Sequence, residues 1–292
     1  RFRSHPGRCD PRGESRRRCA ILASVITLAS LFVYPVKSCR GIELLQARLT
    51  PRGLQYDREW MVVSHDGRFL TQREAPRLAL VGTALHDDHL ELTAPGLPTL
   101  AVPLQRPALA ASVEVTVWRD HVLAVDEGQA AADWFGEHLR RDVRLVRFDD
   151  SRPRPTDFAW SQGLAGTSAF ADGYPVLVLS RASLDDLNAR LPSPLPVDRF
   201  RPNVFLDGCA PYAEDSIRGL ESEQMRLRIV KPCTRCVITT TDQATAVLQG
   251  HEPLRTLKTY RWDGALHGVK FGQNAIVERP GPLEVGARLR SD

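Results

Sequence analysis

Cysteine is scarce in this sequence, with six residues among 292. Disulfide-stabilised scaffolds are short and dense in cysteine, so six scattered thiols in a chain of this length exclude that class. Only Cys233 and Cys236 form a Cys-x-x-Cys pair. A four-thiolate structural zinc site would need Cys39 and Cys209 to converge on that pair. We therefore expect a reduced, cytoplasmic setting.

The sequence also lacks an apolar run as long as a membrane span. The longest one covers residues 19–33, about 15 residues, where a spanning helix needs roughly 20. It is rich in β-branched residues from Val25 onward and continues into Tyr34 without a cleavage-like site. We interpret its second half as a buried first strand rather than an anchor, and expect no membrane span.

Outside its first 18 residues, the sequence also lacks the excess of positive charge that nucleic-acid-binding proteins carry. The net charge is +4, but residues 1–18 alone contain seven arginines and carry a local charge of +5. The rest of the chain is close to neutral, at −1, so nucleic acid is not an expected partner. Residues 1–23 are expected to be a disordered basic tail, or a stretch that does not belong to the native protein.

Short β-runs separated by turn signals dominate the first half. Hairpins are predicted with turns at residues 66–67, 87–88 and 119–121, the second of them joining strands over 78–85 and 89–93. A helix over residues 127–140 and a strand over 143–148 follow. Successive hairpins of this size favour an antiparallel barrel or sandwich for residues 24–148.

The second half mixes strands with short helices. An irregular stretch, residues 149–173, marks the predicted domain boundary. Strands are predicted over residues 175–179, 200–206, 225–230, 269–277 and 283–289, and helices after the N-cap Ser180 and over 253–261. We therefore expect a β-rich α+β protein, with one domain at residues 24–148 and a second at 149–292.

The most informative segment is Lys-Pro-Cys-Thr-Arg-Cys, residues 231–236. Pro232 cannot donate to a strand ladder, which predicts an edge or a bulge, and the loop after it is expected to lie between two strands. Lys231 and Arg235 favour the thiolate form of a neighbouring cysteine, the form that ligates metal. Spacing alone leaves three interpretations open: buried structural thiols, a redox pair, or a soft-metal thiolate site. The β-branched residues after Cys236 disfavour the redox pair, because that motif opens a helix.

Two further polar clusters lie at predicted strand ends. Residues 34–41 bring together a cation, a hydroxyl and a turn glycine, and residues 198–203 bring two arginines and Asn203. Each cluster alone is compatible with a solvated strand end. Together they offer what a phosphorylated organic cofactor needs, because arginine forks grip phosphate and hydroxyl and amide groups recognise ring edges.

Eight segments in order carry a family resemblance. They are residues 34–41, 56–63, 71–78, 170–175, 200–204, 212–215, 232–240 and 253–261. Over about residues 24–290 the chain resembles MOSC-domain molybdenum-cofactor proteins, the family of the mitochondrial amidoxime-reducing components and the bacterial YcbX-type proteins. The resemblance implies an N-terminal MOSC β-barrel domain, a C-terminal MOSC domain with a β-barrel-like fold, and a molybdopterin-type cofactor between them.

The resemblance also implies roles for individual residues. Cys236 corresponds to the cysteine that ligates molybdenum, and is the expected catalytic and metal-binding residue. The residues expected to contact the cofactor are Lys37, Ser38, Arg58, Arg73, Asp172, Gly173, Arg201, Asn203, Thr234 and Arg235. Gly173 replaces a hydroxyl residue of the mitochondrial relatives, and Cys233 receives no metal role.

The implied activity is the reduction of N-hydroxylated substrates to the N–H compound plus water. Some bacterial relatives continue into a ferredoxin domain, whereas this sequence ends at Asp292 and offers no further cysteine cluster for iron and sulfur. A separate flavin, haem or iron–sulfur protein is therefore expected to donate the electrons. The alternative function is a sulfur carrier, in which a cysteine holds a persulfide, and a zinc module on the four cysteines named above is a third possibility.

Overall fold

The computed structural model describes residues 25–106, 112–161 and 163–292. The strands of the first half are β1 (Ile26–Val33), β2 (Ile42–Leu44), β3 (Gln46–Thr50), β4 (Gly53–Leu54), β5 (Trp60–Ser64), β6 (Gly82–Leu85), β7 (His89–Thr93), β8 (Leu100–Pro103), β9 (Ser112–Val117), β10 (Asp120–Asp126) and β11 (Val143–Phe148). Those of the second half are β12 (Arg154–Pro155), β13 (Thr167–Ser168), β14 (Val176–Ser180), β15 (Val204–Asp207), β16 (Gly219–Glu221), β17 (Arg226–Thr234), β18 (Trp262–Asp263), β19 (Gly268–Arg279), β20 (Gly281–Glu284) and β21 (Arg288–Ser291).

Helices are short and few among the residues that the structure describes. The α-helices are α1 (Gln129–Leu139), α2 (Phe158–Ser161), α3 (Arg181–Asn188) and α4 (Leu254–Tyr260), and 3-10 helices cover Pro76–Leu80, Val197–Arg199, Ala213–Asp215 and Val237–Thr240. Ser180 caps α3 as predicted, because its side chain accepts a hydrogen bond from the Ser183 amide. Among the described residues, no helix has the length and apolar character that crossing a membrane requires.

A closed barrel of seven strands forms the centre of the molecule. Its strand order is β14-β15-β1-β21-β16-β17-β19, and β19 pairs back onto β14. The predicted first strand is confirmed as β1, whose buried residues change parity from Ile26 and Leu28 to Leu31 and Val33. The change follows from a register shift between Leu28 and Ser30, because a bulge inserts one extra residue into the alternation. The prediction of a β-rich fold with a barrel is therefore confirmed.

A second layer is built from the first half of the chain. β5, β11, β10 and β9 form a four-stranded sheet, and β6, β7 and β8 form a three-stranded one. The predicted helix is confirmed as α1, and its Trp134 and Phe135 bury against Trp60 in a shared apolar cluster. The hairpins predicted at residues 87–88 and 119–121 are confirmed as β6–β7 and β9–β10, with the second turn shifted back to Trp118 and Arg119.

Two of the predicted strands are wrong at their starts. Residues 76–80 form a 3-10 helix, where a strand was expected from residue 78, because Pro76 fixes φ and starts the turn. The strand predicted from residue 200 begins only at Val204. Before it, Arg201 adopts a left-handed backbone with φ of 53°, which cannot continue a strand.

Loops from both halves meet at one end of the barrel. The Lys37 amide donates to the Trp60 carbonyl (2.8 Å), and the Phe170 amide donates to the Arg58 carbonyl (3.0 Å). The Phe32 amide donates to the Asn203 carbonyl (2.9 Å). These bonds join four segments, around residues 32–37, 58–60, 170 and 203, of which the first two are more than 100 residues from the last two. Polar side chains from all four segments therefore lie around one space.

Candidate functional site

A cavity opens where these loops meet. It contains about 880 Å³ of empty space, including the space at its open mouth. Ten predicted site residues line it, namely Lys37, Ser38, Arg58, Asp172, Gly173, Arg201, Asn203, Thr234, Arg235 and Cys236. The remaining one, Arg73, is not part of the lining but contacts the Cys236 sulfur.

Cys236 lies at the turn that follows β17. The residue is half-buried, and its sulfur accepts a hydrogen bond from Arg73 Nη2 at 3.0 Å. Its carbonyl accepts hydrogen bonds from the amide and the hydroxyl of Thr239, at 3.1 and 2.9 Å. The arrangement holds the backbone of Cys236 firmly while the sulfur faces the cavity beside a positive charge.

The structure agrees with the prediction for the segment before the loop that carries the two cysteines, and differs from it for the segment after the loop. Before it, β17 passes through Pro232 with register shifts against β19, so the predicted bulge is confirmed. After it, residues 237–240 form a 3-10 helix, and the expected second strand is wrong. The hydroxyls of Thr239 and Thr240 bond back to carbonyls three residues earlier, which stabilises the turn instead of extended backbone.

Cys233 also lines the cavity, but its sulfur has a different environment. It accepts a hydrogen bond from Arg235 Nη1 at 3.2 Å. Burial raises the pKa of the Cys233 thiol, against the opposing effect of the Arg235 guanidinium. Cys233 is therefore held as a neutral thiol at physiological pH.

Three arginines at the cavity each have one buried nitrogen with no hydrogen-bond partner among the described residues. The atoms are Arg199 Nη1, Arg201 Nη2 and Arg235 Nε. A buried donor without a partner costs about 1–3 kcal/mol, and more when it is charged. The three groups are therefore organised for an anionic ligand that supplies oxygen acceptors. Arg199 was not among the predicted site residues, although it belongs to the polar cluster at residues 198–203.

Arg58 and Arg201 share the ring of Tyr34. Their guanidinium carbons lie 4.3 and 4.2 Å from its centroid. Both arginines have left-handed backbones, with φ of 48° and 53°, a conformation that costs of order 1–3 kcal/mol for residues other than glycine. Burial and the nearby Arg58 charge lower the pKa of Arg201. Strain and like-charge repulsion at one place indicate a functional role rather than a stabilising one.

Every hydrogen-bonding position of the Asn203 side chain has a protein partner. Its Nδ2 donates to the Phe32 carbonyl and to Asp57 Oδ1, at 3.1 and 2.9 Å. Its Oδ1 accepts from the Leu177 amide and from Arg58 Nη1, at 3.1 and 3.0 Å. An amide side chain offers two donors and one acceptor oxygen with two lone pairs, so no free position is left for a ligand. Asn203 therefore acts on the site by orienting Arg58 and Asp57.

Lys37 and Asp172 form an ion pair at the cavity wall. Lys37 Nζ donates to Asp172 Oδ1 at 2.5 Å and to the Phe170 carbonyl at 2.7 Å, and Trp118 Nε1 donates to the same carboxylate oxygen at 3.1 Å. Burial lowers the pKa of Lys37, and Asp172 opposes this shift. The protein around Asp172 removes part of its hydration, which raises its pKa, but the Lys37 ammonium outweighs this effect and holds the net pKa well below its ordinary range.

We expect Asp172→Asn to lower the free energy of unfolding by about 1 kcal/mol at neutral pH, since the Asp172 side chain is 59% exposed and solvent screens the pair. Because the folded-state pKa of Asp172 is depressed, its contribution is fully present above the ordinary pKa of 3.8 and is lost as the pH falls through the folded value. Urea unfolding of both proteins at several acidic pH values measures the difference.

The matched control for this change is Asp150→Asn, which removes an exposed carboxylate 2.6 Å from Arg52. We expect the control to change stability by less than about 0.5 kcal/mol. A difference for Asp172→Asn that persists unchanged far below the ordinary carboxyl pKa would contradict the assigned ion pair.

Trp118 is a site residue that the sequence pattern did not identify. It occupies the β9–β10 turn with φ of 57°, and 46% of the residue is exposed. Its ring lies 5.0 Å from the guanidinium carbon of Arg73 and 5.1 Å from the ring of Phe69. The sequence did contain a signal for this residue, because a tryptophan beside a predicted turn is often a binding residue. Trp118 thus connects Arg73, and through it the Cys236 sulfur, with Asp172.

A zinc module on four cysteines is not supported by the described residues. Cys39 is fully buried in the apolar cluster around Trp60, where burial raises the pKa of its thiol to about 12. Cys209 packs instead against the core of the barrel. The four thiols do not bring their sulfur atoms together as a metal site would require.

Comparison with known families assigns most of the described chain. The MOSC N-terminal beta barrel domain matches residues 25–142, and the MOSC domain matches residues 165–290. The chain belongs to the MOSC family. This confirms the resemblance that the eight sequence segments carry.

Similar proteins of this MOSC family come from vertebrates. The chain is 38% identical to mitochondrial amidoxime-reducing component 1 of Mus musculus over 92% of this chain and 83% of the mouse protein. It is 38% identical to the Homo sapiens component 1, over 92% of this chain and 84% of that protein, and 35% identical to the Bos taurus component 2, over 97% and 85%. A crystal structure of the YUAD protein of Bacillus subtilis is 10% identical, with a TM-score of 0.39 over 91% of this chain and 94% of that one.

Proposed function

We propose that this protein is an oxidoreductase that reduces N-hydroxylated compounds with a molybdenum cofactor held in the cavity. The names of the relatives, amidoxime-reducing components, support the reaction class. One observation in the structure carries the proposal. The half-buried Cys236 and three arginines, each with one buried N–H that has no partner among the described residues, line the same cavity.

The residues of the cavity fit such a cofactor. Cys236 would bond the metal, since soft thiolate ligands suit soft transition-metal centres. The free N–H atoms of Arg199, Arg201 and Arg235 would hold the phosphate end, because guanidinium forks match phosphate oxygens. When bound, the cofactor supplies the two-electron redox chemistry, and the protein supplies binding, orientation and charge.

The proposed reaction breaks an N–O bond. It consumes two electrons and two protons, one proton leaving with the hydroxyl oxygen as water and the other remaining on nitrogen. The ionised carboxylate of Asp172 is held by Lys37 and Trp118 through Oδ1, while Oδ2 makes no hydrogen bond among the described residues. In the proposal Oδ2 accepts a hydrogen bond from the amino group of the substrate and orients the N–OH group in the cavity.

We further propose that the electrons come from a separate flavin, haem or iron–sulfur protein, with no iron–sulfur cluster in this chain. Residues 24–148 and 149–292 are proposed as two domains that share the cofactor, with β1 and β3 of the first paired to strands of the second. The cytoplasmic setting also stays a proposal, based on the scarcity of cysteine.

Analysis of the purified protein tests the function directly. We expect about one molybdenum and one pterin per chain, and conversion of an aromatic amidoxime to its amidine when a reduced dye supplies electrons. Sulfane sulfur on a cysteine without metal would favour the sulfur-carrier function instead. Protein that contains pterin and molybdenum but leaves the amidoxime unchanged would contradict the proposed reaction while leaving the cofactor assignment intact.

A further inference from the structure

Three metal-ligating side chains lie together on the β6–β7 hairpin, in the three-stranded sheet and outside the residues that line the cavity. One ligand atom from each of His86, His89 and Glu91 lies within 4.8 Å of the other two. His86 Nε2 is 3.8 Å from a carboxylate oxygen of Glu91. The two imidazole rings stack with centroids 4.5 Å apart and an interplanar angle of 12°. The arrangement combines two nitrogen ligands and one oxygen ligand.

The hairpin register explains why these three side chains share one face. His89 and Glu91 are two residues apart on β7, so both point to the same side of the sheet. His86 is the residue opposite His89 at the turn, since its amide donates to the His89 carbonyl at 2.9 Å. Leu90, between the two, is fully buried on the other face. The core therefore fixes the side on which the three ligands stand.

The neighbouring positions on that face carry side chains that have no metal-binding atom and do not cover the three ligands. Ala84 is opposite Glu91 on one side, and Ala101 is opposite it on the other. Pro103 is opposite His89. Because these side chains are small or carry no donor atom, the ligand atoms of the histidines and the glutamate stay accessible from solvent.

Asp88 is not one of the three ligands but contacts the ring of His89. Its Oδ1 lies 2.6 Å from His89 Nδ1. A carboxylate on one ring nitrogen of a ligating histidine fixes the tautomer and the ring orientation, which leaves the other nitrogen with its lone pair free for a metal. Such carboxylate–histidine pairs are a regular feature of zinc sites.

From these contacts we propose that the β6–β7 hairpin binds one Zn²⁺ ion through His86, His89 and Glu91. Two imidazoles and a carboxylate are a ligand set that Zn²⁺ accepts with a water molecule in the fourth position. Zinc bonds to nitrogen and oxygen at roughly 2.0–2.2 Å, so neighbouring ligand atoms of a tetrahedral site lie about 3.4 Å apart. The three ligand atoms here lie within 4.8 Å of one another, and rotations of these partly exposed side chains bring them to that spacing when the ion binds. The site is separate from the proposed function and stands without it.

Zinc titration of the full chain, as purified, tests the proposal by calorimetry and by the shift in Tm. We expect His86→Gln plus His89→Gln to remove one zinc equivalent and the zinc-dependent rise in Tm, which mass action gives to any ligand that binds only the folded state. Asp88→Asn is expected to weaken binding about tenfold, the lower end for outer-sphere carboxylates. Glu91→Gln provides an independent loss of a ligand.

The chain offers matched controls in two other surface histidines. His65 lies 3.4 Å from an Asp142 oxygen and His121 lies 3.3 Å from a Glu114 oxygen, in each case with a single imidazole. His65→Gln and His121→Gln are expected to keep the full zinc stoichiometry. Equal zinc binding by the wild type and the double variant, or an equal loss in the controls, overturns the site. Matching Tm values without zinc ensure that the variants are folded.

Discussion

Cys236→Ser is expected to lower N-reductive turnover by more than about 100-fold, because changes to residues outside the ligand set already cost 10–100-fold at metal sites. A serine hydroxyl is a harder ligand than a thiolate and keeps its proton at neutral pH, so it is a poor substitute on a soft metal. The fold should persist, since the Cys236 carbonyl and not its sulfur stabilises the following turn. Steady-state turnover, pterin content and circular dichroism on the same preparation measure the three effects.

Cys233→Ser is the matched control, because it makes the same chemical change three residues away in the same loop. We expect it to lower turnover by less than about tenfold, well short of the loss expected for a metal ligand. The Cys233 thiol is neutral and bonded to Arg235, and has no assigned metal role. Full activity of the Cys236 variant, or a larger loss in the Cys233 variant, would mean that the ligand assignment is wrong.

The local elements were largely predictable because they depend on neighbouring residues. The Ser180 cap, helix α1 and strand β11 follow from spacing within a few residues, and the structure confirms each. The closure of the barrel was not predictable in this way. It depends on β14 pairing with β19, about 100 residues later, and no local pattern specifies a pairing over that distance.

For the site, too, the residue types could be predicted from the sequence, whereas the contacts between distant residues could not. The residue types at strand ends indicated a phosphorylated cofactor, and the resemblance supplied eleven positions, ten of which line one cavity in the structure. Hydrogen-bond saturation was not visible in the sequence: Asn203 has four protein partners. The contact of Trp118 with Arg73 was also out of reach, because it joins a turn to a loop 45 positions earlier.

Arg201→Ala is expected to weaken cofactor binding by roughly 30-fold or more, since truncating one member of a buried charge pair costs about 2–5 kcal/mol. Arg201 Nη2 is one of the buried donors without a partner among the described residues, and in the proposed function it binds the phosphate end of the cofactor. Pterin and molybdenum contents of the purified variant, measured per chain, report the loss. Turnover calculated per bound cofactor should fall much less than turnover per chain, because the proposed metal ligand, Cys236, is unchanged.

The stability of the cofactor-free protein separates a binding role for Arg201 from a structural one. The change removes the hydrogen bond from Nη1 to the Cys39 carbonyl, 2.7 Å, but also relieves repulsion from Arg58. These effects oppose each other, so we expect the free energy of unfolding to change by less than about 1 kcal/mol. Arg201→Lys should recover part of the binding, because it keeps the charge and loses the fork.

Arg290→Ala removes a 74% exposed arginine and serves as the charge-matched control, with cofactor content unchanged. A structural role for Arg201 would give the opposite pattern to the one expected: a fall of several kcal/mol in stability without cofactor and normal loading in the molecules that fold. Because a guanidinium beside a second arginine gains from an anion that neutralises the repulsion, the unpartnered N–H of Arg201 fits a role in binding an anionic ligand.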